Sequence, residues 1–273
     1  MRKVFGRQEL DAALIAIAGH LKRSVTCYLI GGCAMTFRGQ KVATKDIDLV
    51  VLGSEDLEAL VAAMETAGFI GVPDPGEEYR ELGAMTTMED PSGMRFDLFQ
   101  QVVSRKLAFS PSMQRRSTEE ATFSALTLRL ASAEDIFLFK GVTGRPDDLD
   151  DMSVLATGGL DWDIIKEECL SQESGRNWAS HLVGKLEGLE DKYDVVAPIT
   201  AELRDWAEVW AMRAAVSAFL GVREKSFEEI RDHLQEAYQF TEDDVEEELS
   251  RLVERAILVM RKRGGKRYYR KPT

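Results

Sequence analysis

The segment LIGGCAMTFRGQKVATKDIDLVV, Leu29 to Val51, constrains this chain more than any other. An apolar run ends on Gly31 and Gly32, and after thirteen intervening residues Asp46 and Asp48 sit inside a second apolar run. Successive side chains of a strand alternate between faces, so Asp46 and Asp48 share one face while Ile47 and Leu49 share the other. Two neighbouring carboxylates repel each other unless a cation neutralises them, and an oxygen-rich set of this kind suits Mg²⁺. Taken alone, an edge strand with one wet face accounts for the pair equally well. A glycine pair that leaves a strand and enters a helix lets the backbone approach a phosphate, with the helix amides aimed at its charge. A plain tight turn explains one such glycine readily and two less well.

Helical spacing of Leu10, Ala13, Leu14, Ile17 and Leu21 predicts a helix over Glu9–Leu21, and the apolar spacing over Asp56–Ala67 predicts another. VTCYLI and DIDLVVL have strand character. The Pro-, Gly- and acid-rich IGVPDPGEEYRELG predicts a loop, followed by a hairpin made of AMTTMED, a turn at Pro91-Ser92-Gly93, and MRFDLFQ. TFSALTLRLA is a further strand candidate, and Ser132 with Asp135 resembles a cap opening the helix AEDIFLFKGVTG. From Pro146 to about Gly221 the pattern is helical throughout. Ser226 and Thr241 then cap two helices, and VMRKRGGKRYYRK carries a Gly264-Gly265 turn between two extended arms. Helix, helix, hairpin is the order of a winged helix-turn-helix.

Composition adds exclusions. With 273 residues, 44% hydrophobic and 30% charged, the chain is an ordinary folded protein with room for two or three lobes. It has no apolar run of the ~18 residues a membrane span needs, and MRKVFGRQEL lacks the apolar stretch of a signal peptide, so a cytoplasmic location with no membrane contact is expected. Cys27, Cys33 and Cys169 form no C-x-x-C pair, which argues for reduced core thiols rather than a disulfide framework or zinc site. The net charge of -12 opposes general attraction to nucleic acid. The last thirteen residues run against it with seven Lys or Arg and no acid.

Ile30, Gly31, Gly32, the spacer, and the Asp46-x-Asp48 pair among apolar residues resemble the signature of the nucleotidyltransferases of the DNA polymerase beta superfamily. The resemblance covers about residues 8 to 155. It implies a third carboxylate on a later antiparallel strand, for which MRFDLFQ offers Asp97. By that analogy Asp46 and Asp48 would bind two Mg²⁺ ions with Asp97 sharing one, and an NTP would lose pyrophosphate to a hydroxyl acceptor. Lys45, just before the first aspartate, either reaches a phosphate or is a solvated lysine at a strand start.

AEDIFLFKGVTGRPDDLDDM is similar, more narrowly, to the Lys, Gly-Arg, Asp-rich segment of bacterial and archaeal minimal and abortive-infection toxin-type nucleotidyltransferases. Lys140 would then meet the triphosphate, Arg145 would assist or anchor its loop, and Asp148 or Asp151 would orient these cations. A helix-end lysine, a Gly-Arg turn and an acidic helix start form the plainer account of the same residues.

The expected architecture is therefore α+β: a small mixed or antiparallel nucleotidyltransferase sheet flanked by helices over 1–130, an all-α domain over 131–222, and a C-terminal winged-helix module over 223–273. His20, His181 and His233 lie far apart on helical patterns, Cys33 has no His partner for nucleophilic work, and Trp206 with Trp210 suits a core. The helix TEDDVEEELSRLVERAIL opens on acids that DNA would repel, whereas the basic wing 261–271, with Tyr268 and Tyr269, suits nucleic acid or an acidic protein. The expected function is Mg²⁺-dependent transfer of NMP from an NTP to a protein, an RNA end or a small molecule, in a toxin-type setting. The alternative is an inactive nucleotidyltransferase-like regulator or toxin-antitoxin component that binds its partner through the winged helix.

Overall fold

The computed structural model describes residues 4–73, 83–103, 107–172 and 178–272. Most of the loop expected from Ile70 to Gly83, namely 74–82, lies outside the described residues, as do 175–177 of the helical segment expected from Gly175 and Thr273 at the end of the basic arm. The chain divides into two compact units, 1–174 with 181–199 and 175–180 with 200–273. Among the described residues no helix is long and apolar enough to cross a membrane.

The first unit is built on a seven-stranded mixed sheet in the order β3-β4-β5-β2-β1-β9-β8. Its strands are β1 (Val25–Ile30), β2 (Asp46–Val51), β3 (Ile70–Gly71), β4 (Thr86–Glu89), β5 (Arg95–Gln100), β8 (Thr118–Phe123) and β9 (Leu126–Leu130). A separate two-stranded ribbon joins β6 (Val102–Val103) to β7 (Leu107–Ala108). The helices of this unit are α1 (Arg7–Ala18), α2 (Gly31–Phe37), α3 (Ser54–Thr66), α4 (Pro111–Arg116), α5 (Ala133–Gly141), α6 (Asp148–Thr157) and α7 (Trp162–Ser171). Helix α8 (Trp178–Tyr193) contributes its residues from His181 onward. Leu10, Leu14 and Ile17 bury one stripe of α1, as their spacing requires. In β2 the alternation holds: Ile47, Leu49 and Val51 are buried, while Asp46 and Asp48 keep partial access to solvent.

β5 runs antiparallel to β4, as the hairpin of AMTTMED and MRFDLFQ requires, and pairs parallel with β2, which makes the sheet mixed. The cause is the connection: α3 returns the chain across the sheet, and the β3–β4 meander then delivers β5 into the place beside β2. TFSALTLRLA is not one strand. Ser124, in a left-handed conformation with φ 52, turns β8 tightly into β9, and Phe123 pairs with Leu126. A two-residue turn that keeps each arm's alternation in phase is easily mistaken for one strand.

The second unit contains α9 (Thr200–Leu220), β10 (Lys225–Ser226), α10 (Phe227–Tyr238), α11 (Glu242–Glu254), β11 (Val259–Arg263) and β12 (Lys266–Arg270). Its strands form a sheet in the order β10-β12-β11. Gly264 and Gly265 both take positive φ, 55 and 79, which is what a two-residue turn between right-twisted strands demands. Met212, Val216 and Leu220 of α9 bury against Phe227, Ile230 and Leu234 of α10, Val245, Leu249 and Leu252 of α11, and Tyr269 of β12. Ser226 closes a reciprocal cap with Glu229, and Thr241 does the same with Asp244.

Candidate active site

Strand register assembles the acidic face. In the parallel pair of β2 and β5, Asp48 lies beside Asp97 and Asp46 beside Arg95. Side chains that are register partners project from the same face, so three carboxylates and one guanidinium share it. Asp97 is fully buried, and the hydroxyl of Thr87, its register partner on β4, donates to its Oδ1 at 2.6 Å. On the other side of β2, Ile30 is the register partner of Asp48, so β1 ends against that carboxylate.

The next residue is Gly31, at φ 63, and a Cβ there would fall 2.2 Å from Asp48 Oδ2. No other amino acid fits without displacing the carboxylate, and the backbone conformation independently favours glycine. Gly32 faces outward instead: a Cβ on it would lie 3.4 Å from Thr44 Oγ1 and 3.7 Å from Lys41 Nζ. The two glycines thus border two environments, Gly31 an acidic one at Asp48 and Gly32 a cationic one at Lys41.

Close enough to act on the charge of Asp48 stands a chain of ion pairs. Lys140, at the end of α5, holds Asp148 at 3.0 Å and Asp151 at 2.6 Å, with only 8% of its side chain exposed. Asp148 also accepts from the Thr143 hydroxyl and pairs with Arg145 at 3.4 Å. Asp151 also pairs with Lys41. Lys185 of α8 donates to the Arg145 carbonyl oxygen at 2.5 Å, tying down the loop between α5 and α6. Burial would raise the Asp148 carboxyl, yet the cations of Lys140 and Arg145 and the hydroxyl of Thr143 together hold it below the usual carboxylate range.

Asp48 goes the other way. Burial first, and then the charge of Asp97, push its carboxyl up to about 7, with Arg145 and Lys140 pulling against them and Asp46 adding to the rise. A carboxylate so poised gains from a nearby divalent cation, which would suppress its proton uptake. Among the described residues no three His, Cys, Asp or Glu side chains form a ready-made metal cage. Mg²⁺ asks for less, since one or two carboxylates with substrate phosphates and waters complete its octahedron. Asp48 and Asp97 fit that requirement, with Asp46 beside them.

A family model described as "Nucleotidyltransferase of unknown function (DUF6036)" matches residues 8–181, which hold every one of these side chains except Lys185. The chain belongs to this nucleotidyltransferase family. No curated protein matches it.

Within this nucleotidyltransferase the structure brings together Gly31, Asp48 and Asp97, with Asp46 on the same face, and places Lys140 and Arg145 near enough to act on the Asp48 charge. Lys45 stands apart: it is exposed, at a bend before β2. Residues of this cluster that escape a reading of the sequence include Lys41, Thr87, Arg95, Thr143 and Lys185. Thr87 and Arg95 carried a usable signal, because each lies in a strand of the hairpin that includes Asp97. Lys41 and Lys185 had none, since neither belongs to a motif and each reaches the site only through tertiary contacts.

Proposed function

We propose that the chain is an Mg²⁺-dependent nucleotidyltransferase that moves NMP from an NTP to a hydroxyl on a protein, an RNA end or a small molecule, in a toxin-type setting. The observation that carries this reading is the junction at Gly31, where a glycine-only turn abuts Asp48, itself paired with Asp97 and opposed by Lys140 and Arg145.

Asp46, Asp48 and Asp97 would hold the metal, most simply as two ions, which when bound neutralise charge on the phosphates and lower the pKa of the attacking hydroxyl. The chain's own groups do the rest. Gly31 and Gly32 leave room for the triphosphate to pass close to the backbone. Arg145 and the ion-paired Lys140 stabilise negative charge developing on it. The acceptor oxygen forms a bond to the α-phosphorus as the bond to the bridging oxygen of the β-phosphate breaks, and pyrophosphate leaves with that electron pair. The hydroxyl proton passes to the carboxylate of Asp97, which Thr87 holds through Oδ1.

The second unit supports the reading of a winged helix that chooses the acceptor. Its hairpin carries Arg261, Lys262 and Lys266 exposed, while Arg263 and Arg267 pair with Glu224 at 3.0 Å and Glu246 at 2.5 Å. Three buried cysteines outside any disulfide suit a reducing compartment, and a cytoplasmic location is part of this proposal. The test is incubation with NTPs labelled at the α-phosphate, Mg²⁺ and cell extract. Label should pass to an acceptor with the wild-type chain and fall at least a hundredfold with Asp48→Asn. Label transfer that survives this substitution would remove the assigned site, and strong nucleic-acid binding without any transfer would favour the regulator.

A further inference from the structure

We infer that Lys41, in the loop between α2 and β2, is a binding residue for the distal phosphates of the NTP, reaching them by leaving Asp151. This rests on the NTP reading above and adds the group that secures the leaving end of the substrate.

The loop is held so that Lys41 faces the glycine turn. Backbone amides of Gln40 and Lys41 both donate to the Met35 carbonyl oxygen, at 2.9 and 3.3 Å, folding the chain back along α2. Thr44 is pinned by paired backbone hydrogen bonds with Phe5, at 2.8 and 3.1 Å, and its hydroxyl donates to the Asp46 carbonyl oxygen at 2.9 Å. Between these anchors the Lys41 ammonium lies 3.7 Å from the position a Gly32 Cβ would take. Gly31 borders Asp48 and Gly32 borders Lys41. A triphosphate whose reacting phosphorus sits at the carboxylates and which extends over the two glycines therefore meets Lys41 with its outer phosphates.

The ion pairs single out Lys41 as the cation that can move. Lys140 is gripped by two carboxylates and almost wholly buried, so withdrawing it would strand both. Lys41 has 36% of its side chain exposed and shares Asp151 with Lys140, so when it leaves, Asp151 keeps a cation. Lys45 lies nearer to Asp46 in the chain, but it is exposed and takes no part in these ion pairs.

The experiment is calorimetric titration of the full chain with NTP·Mg²⁺ and, separately, with NMP·Mg²⁺, comparing wild type with Lys41→Ala, Lys41→Arg and, as a charge-matched control, Lys22→Ala. Thermal melts verify that each variant folds. The expected result for Lys41→Ala is a Kd for NTP raised about 10- to 30-fold, the effect of losing one charge-assisted hydrogen bond. The Kd for NMP should change less than about twofold, Lys41→Arg should recover most of the loss, and Lys22→Ala should match wild type. Unchanged NTP affinity in Lys41→Ala overturns this inference while leaving the nucleotidyltransferase reading intact. Equal losses for NTP and NMP would assign Lys41 to the scaffold and overturn it as well. A wild-type chain that binds no NTP overturns the functional reading and this inference with it.

Discussion

At the scale of the residue, Asp48 carries the sharpest consequence. Its carboxyl is pushed up to about 7 from an ordinary 3.8, so between those values the folded chain holds a proton that the unfolded chain has released. Stability of the metal-free protein should therefore fall as pH rises from about 4 to 7 and level off above that. Asp48→Asn should flatten this part of the profile and stabilise the metal-free protein at pH 8 by about 1–3 kcal/mol, measured by urea denaturation across pH. Because a divalent cation must displace the same proton, wild-type Mg²⁺ affinity should drop up to about tenfold per pH unit below 7. A stability profile identical for the two proteins would show that Asp48 is ionised and comfortable without metal. The alternation that turns Asp46 and Asp48 to one face was legible from the sequence, because it follows from strand geometry alone. That Asp97 joins them was suggested only by resemblance, since nothing in MRFDLFQ distinguishes a buried aspartate from a wet one.

At the scale of the element, the supports of the site are themselves charged. Arg116 at the end of α4 binds Asp135 of α5 at 2.5 Å and Glu168 of α7 at 2.6 Å, where those carboxylates are only 1% and 4% exposed. Burial raises the Asp135 carboxyl above the usual range even against the bonds from Arg116. Arg116→Ala should leave two buried carboxylates without their cation and cost about 3–5 kcal/mol, read from denaturation midpoints, with partial recovery on acidification as the carboxyls protonate. Such a loss would also loosen α5, which carries Lys140 at its end. A cost below about 1 kcal/mol would mean that water replaces the guanidinium. Helix α4 and the first residues of β8, Thr118 to Ala121, have short or polar patterns without a periodic signal, whereas the caps at Ser132, Ser226 and Thr241 were legible because a cap is a contact across three residues.

At the scale of the whole molecule, charge is distributed very unevenly: the chain carries -12 in total, yet its last thirteen residues carry seven cations and no acid. On α11 the first turn contains Glu242, Asp243 and Asp244, so a nucleic acid approaching the second unit is repelled by that helix end and attracted by the β11–β12 hairpin. If the hairpin meets a phosphate backbone, log affinity should fall with log salt at a slope of about -0.7 to -0.9 per phosphate contacted. Replacing Arg261, Lys262 and Lys266 together by Ala should reduce that slope by roughly two to three, checked by fluorescence anisotropy with a labelled RNA at several salt concentrations. An unchanged slope would direct attention to an acidic protein partner instead.

The sequence by itself determined what is decided within a few residues: the helix caps, the apolar stripes, the two-faced strand of Asp46 and Asp48, and the glycine pair that precedes it. Tertiary structure alone decided the parallel pairing that sets Asp97 beside Asp48, the contact that makes Gly31 obligatory, and the shared grip of Lys41 and Lys140 on Asp151. The reason is physical. Local periodicity specifies which face a side chain takes, but the register between distant strands and the partners of a charged side chain are set when the apolar faces of the sheet and helices pack, and no single segment contains that information.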